Sequence, residues 1–183
     1  MRIASKIITA FIVIINAVIT LFIGYYVCEL EEARAYNRIR IYFTDTYEIE
    51  YGDSFSSDSL VTSSIGDIIQ YPSVNTKKMG EQTLVYKVRY KNMEKEIERS
   101  IKIIDTKYPI IELHEQNATV KQGYRYIPED NIKKVYDEVD GRIEDYTVSH
   151  NLNTKEAGTY KIEITAKDIN GNETKTSFNV VVK

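Results

Sequence analysis

The 183-residue sequence contains one cysteine, two histidines, three prolines and no tryptophan. A single cysteine excludes an intrachain disulfide framework and metal sites built from several cysteines. No G-x-S-x-G motif, phosphate-binding loop or H-E-x-x-H motif is present, and two histidines leave few groups for hydrolysis. The net charge is −3, and acids are interspersed among the basic residues, which is not typical of nucleic-acid binding. We therefore expect a non-enzymatic protein that needs no cofactor and does not bind nucleic acid.

A run without charged side chains occupies residues 7–28. As a helix this run is about 33 Å long, which matches the roughly 30 Å hydrocarbon core of a bilayer. We predict a transmembrane anchor at residues 7–28 after a cytoplasmic tail at residues 1–6. A cleaved signal peptide is the first alternative, but the run is long and ends in bulky residues where cleavage needs small ones. Acylation of Cys28 in a lipoprotein is the second, although the preceding residues fit that pattern poorly.

The charges that flank the run leave its orientation nearly balanced. Arg2 and Lys6 precede it, and three arginines lie within residues 29–40 on the other side. Residues 29–40 carry acids followed by arginines without strand alternation. We predict that they prolong the membrane helix as a short juxtamembrane stalk.

Small residues recur every seven positions along the anchor, at Ala10, Ala17 and Gly24. This spacing places them on one helix face, where helix backbones approach closely in lipid. One hypothesis is self-association through this face, and the other is an ordinary anchor in which the alignment is incidental.

From about residue 41 the apolar residues alternate with period two, which indicates β-strands. The clearest strand covers Tyr160–Ala166, where Tyr160, Ile162 and Ile164 point to one side. An Asn-Gly turn signal follows, and then a second alternating strand with Phe178, Val180 and Val182. A hairpin with one apolar face needs a second sheet to cover that face.

The β-rich region is an internal repeat. Asn153–Gly158 matches Asn75–Gly80 at an offset of 78 residues, and Ala118–Gly123 resembles Tyr47–Gly52 at an offset of 71, so the second copy holds about seven extra residues. In the first copy Leu84 and Tyr86 take the inward positions. We predict a mostly β fold with two tandem immunoglobulin-like β-sandwich domains, at residues 41–105 and 106–183. A helical turn is predicted between Pro128 and Val135.

The second copy resembles the bacterial surface immunoglobulin-like domains, which occur in cell-surface proteins of Gram-positive bacteria and in a pesticidal crystal toxin. Four motifs carry the resemblance after Asp105: Pro109–Leu113, Asp137–Gly141, Gly158–Tyr160 and Ala166–Asn172. The first copy diverges, because it lacks the Gly-Thr-Tyr strand and the Asn-Gly hairpin. The resemblance implies domains outside the cell, which sets the N-terminus inside, and a role in spacing, adhesion or binding.

One group of oxygen-bearing side chains is a candidate calcium site, because calcium takes six to eight oxygen ligands. In an immunoglobulin-like sandwich the strand after Asp140 begins at the pole where the strand before Asp168 ends. The candidate ligands are Asp137, Asp140, Asp168, Asn170 and Asn172. The alternative, which we favour, is that these residues form Asx-turns at strand ends and bind no metal. The first copy serves as a control, with Thr62 matched to Asp140.

These features predict a single-pass cell-membrane protein that presents tandem immunoglobulin-like domains for adhesion, ligand binding or spacing. Its partners are the bilayer, through residues 7–28, and an unidentified surface protein or polysaccharide. An alternative is an accessory or assembly subunit of a cell-envelope enzyme complex. Another is part of a surface enzyme that lacks its catalytic domain.

Overall fold

The computed structural model describes residues 2–183, with side chains from residue 6 onward, so Met1 of the predicted tail lies outside the described residues. The chain divides into two compact units, Met1–Ile103 (unit 1) and Ile104–Lys183 (unit 2). The fold is mostly β, with one long apolar helix at the N-terminus. These two coarse features of the sequence prediction are confirmed.

The helix α1 spans Arg2–Arg38 without a break, so the residues predicted as a stalk continue the helix as far as Arg38. Within Lys6–Arg38 it is long and apolar enough to cross a membrane by length and composition. Its apolar side chains are exposed, as Phe11 and Leu21 illustrate at 65% and 74%. An exposed, uniformly apolar surface of this kind suits a lipid environment.

The end of α1 belongs to unit 1 rather than to a free stalk. Ala35 is buried, and Ile39, directly after the helix, is only 1% exposed and joins the unit 1 core. The backbone N–H of Ile39 donates to the carbonyl of Tyr36, which closes the last turn. Beside it, the Lys95 ammonium lies 5.0 Å from the centroid of the Tyr36 ring. Ala35 in the last turns of the helix and Ile39 directly after it therefore hold the end of α1 to the domain.

Unit 1 contains two sheets, built from the strands β1 (Arg40–Phe43), β2 (Glu48–Glu50), β3 (Val61–Ile65), β4 (Asp67–Gln70), β5 (Gly80–Tyr90) and β6 (Met93–Ile104). One sheet is two-stranded, β1–β3, and the other is four-stranded, in the order β2–β6–β5–β4. Alternating residues of β5, Leu84, Tyr86 and Val88, point inward and meet Ile101 and Ile103 of β6 in the core. The Tyr86 hydroxyl is satisfied there, because it donates to the Ser57 carbonyl at 2.8 Å.

Unit 2 contains two sheets, built from the strands β7 (Ile110–Leu113), β8 (Asn117–Val120), β9 (Ile132–Asp137), β10 (Gly141–Arg142), β11 (Tyr146–His150), β12 (Gly158–Lys167) and β13 (Glu173–Val182). One sheet is three-stranded, β10–β9–β7, and the other is four-stranded, in the order β11–β12–β13–β8. The predicted hairpin is confirmed as β12–β13, with Ile162, Ile164 and Phe178 buried and Tyr160 half-buried at the core edge. The predicted helical turn is a 3₁₀ turn limited to Pro128–Asn131, because Ile132 already pairs with Leu113 in the sheet.

The two units share one plan of strands and turns. The register of β1 with β3 shifts between Tyr42 and Phe43, and that of β7 with β9 shifts between Glu112 and Leu113. A 3₁₀ turn precedes the second strand of each pair, at Ser57–Leu60 and Pro128–Asn131.

The turn hydrogen bonds repeat as well. The N–H of Gly52 donates to the Thr76 carbonyl, and the N–H of Gly123 donates to the Thr154 carbonyl. The side chain of Asn75 accepts from the second N–H that follows it, at 3.1 Å, and Asn153 does the same at 3.1 Å. The same residues therefore build the same turns in both copies.

The seven extra residues of unit 2 lie between β9 and β11. By the pairing of their strands, β3 is equivalent to β9 at an offset of 71 residues, and β4 is equivalent to β11 at an offset of 78 residues. Residues 138–144 therefore have no counterpart in unit 1. In unit 1 a single residue, Gly66 at φ +106°, links β3 to β4. In unit 2 the insertion forms a hairpin that supplies β10.

Candidate functional site

Three aspartates meet at the pole of unit 2 where this insertion lies. Asp105 follows β6, Asp137 ends β9, and Asp168 follows β12, so three different segments bring them together. Their exposed fractions are 7%, 2% and 6%. One carboxylate oxygen of each lies within 4.8 Å of the others. Buried acids are uncommon unless they are paired or hydrogen-bonded, so this group requires explanation.

The insertion positions the Asp137 carboxylate. Asp137 Oδ1 accepts from the backbone N–H of Val139 at 2.7 Å and from that of Asp140 at 3.1 Å. This is an Asx-turn, in which the side chain replaces a backbone carbonyl as acceptor. Without residues 138–144 these donors would be absent.

The β12–β13 turn positions the Asp168 carboxylate. Asp168 Oδ1 accepts from the backbone N–H of Asn172, and Oδ2 accepts from Asn172 Nδ2, both at 2.7 Å. The same Asn172 amide donates to the backbone carbonyl of Asp105 at 3.2 Å. Asn172 therefore ties the turn to the segment that enters unit 2.

Asp105 completes the group and is the member that the sequence-based candidate set omits. Its Oδ2 accepts from Asn170 Nδ2 at 2.9 Å, and its Oδ1 accepts from the Lys107 N–H at 3.2 Å. Asp105 precedes Pro109 and belongs to the residues in which unit 2 resembles the surface-domain family. That resemblance is the sequence feature that points to Asp105. The candidate set comes from two later segments of the chain and does not include the segment at the start of unit 2.

The predicted proximity of Asp140 to the β12–β13 turn is confirmed. Asp140 Oδ2 accepts from the backbone N–H of Ile169 at 2.7 Å. Asp140 is half-buried, and it lines an open cavity of about 730 Å³ together with Asp168 and Ile169. Asn170 and Asn172 direct their amide groups at carboxylates of the group.

The surroundings of Asp105 disfavour the charged form of its carboxyl group. Burial raises the pKa of Asp105, and the neighbouring Asp137 and Asp168 carboxylates raise it further, against the lowering effect of the Lys107 and Asn170 hydrogen bonds. The arrangement thus combines the backbone hydrogen bonds of strand-end turns with converging carboxylate oxygens, which are the ligands that calcium prefers.

Unit 1 provides an internal control, because the positions equivalent to Asp137 and Asp168 hold no carboxylate. By strand register, Gly66 and Tyr90 stand where unit 2 has Asp137 and Asp168. The sequence-based match of Thr62 to Asp140 is wrong. Thr62 follows Val61, the partner of Phe43, and so corresponds to Lys133, which follows Ile132.

Replacing Asp105 with asparagine should alter the pH dependence of unit 2 stability. Because the folded pKa of Asp105 is raised, its contribution to stability is full below the unfolded pKa and is lost as pH rises through the folded pKa. We expect the Asp105→Asn variant to gain stability relative to the wild type as pH rises from roughly 4 to 7. Thermal melts of the full chain in detergent across this range test this expectation. A difference that is constant with pH would contradict it.

Calcium should have little effect on unit 2 if the turn interpretation holds. The three carboxylates already accept hydrogen bonds from backbone and amide groups, so we expect the melting temperatures in chelator and in about 10 mM calcium to be nearly equal. Binding to the native state alone would add about 2.7 kcal/mol at a hundredfold excess over Kd. A rise of several degrees that is lost in Asp137→Ala and absent from unit 1 would show a cation site instead.

The chain matches no protein-family model, and no curated protein shows significant similarity to it. Its function is therefore inferred from its own residues and geometry.

Proposed function

We propose that the chain is a non-enzymatic, membrane-anchored bacterial surface protein that presents two immunoglobulin-like domains outside the cell. Two features support this proposal: the apolar α1 and the repeated two-sheet plan. In each unit residues of both sheets share a core, as Ile41 and Leu84 do in unit 1. In unit 2, Leu113 of β7 packs against the cluster that contains Ile164. The family resemblance of unit 2 supports the bacterial surface and the immunoglobulin-like topology.

Among adhesion, binding and spacing, the connection of the helix to unit 1 favours spacing and presentation. A helix of 37 residues runs without interruption from the apolar segment into the domain. Ala35 and Ile39 are buried there, so the first domain is attached through packed apolar side chains rather than through a flexible tether. Such an attachment suits a protein that holds a surface partner at a defined distance from the bilayer.

Protease accessibility in protoplasts tests the proposed topology. With the N-terminus inside, a broad-specificity protease added outside should degrade the β-rich units and leave a short fragment that contains residues 7–28 in the membrane. Protection of the units until the membrane is lysed would contradict the orientation. A mature soluble protein that begins near residue 29 would contradict the anchor itself.

A second candidate is an accessory subunit that binds a larger envelope enzyme through its helix. Ala10, Ala17 and Gly24 share one face of α1, and seven-residue steps continue this face to Glu31. There it meets a groove shared with Lys91 and Met93 of unit 1. A parallel second copy packed on the small-residue face would collide with this hairpin, whereas a partner helix that ends at the membrane surface would not. This geometry favours a different membrane protein over self-association at this face.

A further inference from the structure

The β5–β6 hairpin of unit 1 ends beside the membrane-proximal part of α1. Lys91 and Asn92 form the connection between the strands, and Lys91 has a φ of +56°. These two residues line a groove of about 240 Å³ opposite Cys28 and Ala35 of the helix. The tip of the domain therefore lies next to the point where the charge-free segment ends.

The depth of this tip relative to the bilayer follows from helix geometry. Cys28 is the last residue of the charge-free run, and Ala35 lies about 10 Å farther along the axis. The headgroup layer on each side of the hydrocarbon core is roughly 5–8 Å thick. If residues 7–28 span the core, as the proposed function requires, the hairpin tip lies at the depth of the lipid headgroups.

The basic side chains at the tip are complementary in charge to a phosphate group. Residues 89–95 contain Arg89, Lys91 and Lys95 against the single acid Glu94, whereas the helix segment 29–38 has three acids and two arginines. Glu94 is already paired with Arg89 at 2.6 Å. Beyond this pair the hairpin therefore has two further positive charges, Lys91 and Lys95, and the helix contributes Glu31 and Glu32 to the same groove.

The two lysines have aromatic neighbours and no ion-pair partner within residues 6–183. The Lys91 ammonium lies 5.8 Å from the centroid of the Tyr90 ring, and the Lys95 ammonium lies 5.0 Å from that of Tyr36. Of the two helix acids that line the groove, Glu31 and Glu32, Glu31 is paired with Arg34 at 3.0 Å. Both ammonium groups thus keep their charge available for an external anion, and the rings hold their stems in place.

We propose that the tip of the β5–β6 hairpin lies in the headgroup layer of the membrane that α1 spans, where Lys91 and Lys95 bind the phosphates of anionic phospholipids. This contact gives unit 1 a second attachment besides the helix. It fixes the angle of the domain to the membrane surface, and it makes that angle sensitive to lipid charge and to salt.

Depth-dependent quenching in vesicles tests this contact on the full chain. In a Cys28→Ser background, Asn92→Cys carries an environment-sensitive fluorophore at the tip. Lys78→Cys carries it near the opposite end of β5, about 36 Å away along an eleven-residue strand. The vesicles contain phosphatidylcholine mixed with anionic phosphatidylglycerol, and a quencher attached to a headgroup. We expect quenching at position 92 to exceed that at position 78 at least severalfold.

The lysine–phosphate contact is tested by removing charge from either partner. Vesicles of phosphatidylcholine alone, and separately the double substitution Lys91→Gln with Lys95→Gln, should each lower the quenching at position 92. High salt should do the same in the anionic vesicles. Quenching that is unchanged by all three treatments would overturn the role of the lysines.

Alkaline extraction separates failure of this contact from failure of the anchor. If the chain resists extraction and positions 92 and 78 are quenched equally, the hairpin contact is wrong and the anchor stands. If the chain is extracted as a soluble protein, both the anchor and the contact that rests on it are overturned.

Discussion

Replacing Ile164 with alanine is expected to lower the free energy of unfolding of unit 2 by about 2–5 kcal/mol, the usual cost of a large-to-small change in a packed core. Ile164 lies in the centre of β12, is fully buried, and packs in the cluster that contains Phe178 and Val180. Removal of three carbon atoms loses transfer free energy and leaves a cavity, because β12 is paired on both sides and is not free to collapse.

The neighbouring residue provides a matched control. Glu163 is exposed on the opposite face of the same strand and pairs with Lys161 across the surface. Glu163→Ala should therefore change stability by no more than about 0.5 kcal/mol. Urea unfolding of the full chain in detergent, followed by pulse proteolysis, reports each unit separately. A cost below about 0.5 kcal/mol for Ile164→Ala would show that the inward face of β12 is assigned wrongly.

Placing a charge at Ile39 is expected to destabilise unit 1 by at least about 3 kcal/mol, because an unpaired carboxylate would be buried. Ile39 is 1% exposed and lies in the core beside Leu60 and Tyr86. The expected loss in Ile39→Asp is specific to unit 1, and the unfolding of unit 2 should be unaffected.

Arg40 tests whether this effect comes from burial. It is adjacent in sequence, lies at the start of β1 and is exposed. Arg40→Asp introduces the same carboxylate at a solvated position and should cost little. Equal effects of Ile39→Asp and Arg40→Asp would mean that the residues after α1 are solvated, as a simple stalk would be.

The strands of both hairpins were predictable from local pattern. Period-two alternation in Tyr160–Ala166 and around Tyr86 reflects one buried face, and the repeated Asn-Thr-Lys turns set the register between the copies. The resemblance of Asn75–Gly80 to Asn153–Gly158 was sufficient to predict a duplicated plan, because identical turn chemistry builds identical turns.

Features that depend on distant pairing were not predictable in the same way. Residues 29–38 look polar and solvated, and only tertiary packing shows that Ala35 is buried. Asn131 tolerates burial because its side chain accepts from the Glu115 N–H and donates to the Glu115 carbonyl. This contact joins residues sixteen positions apart. The carboxylate group likewise required Asp105, which lies more than sixty residues before Asp168, and local periodicity contains no information on that distance.

Hydrogen exchange of the full chain in lipid nanodiscs tests most directly the claim that the anchor continues as a helix into the core of unit 1. The backbone amides of residues 30–39 should exchange at least about a hundredfold more slowly than in an unfolded chain, because they are held in a helix whose end is packed. The amides of the exposed β5–β6 connection, at Lys91 and Asn92, provide a fast-exchanging reference in phosphatidylcholine. Exchange of residues 30–39 at the rate of an unfolded chain would show a flexible tether and would contradict the account.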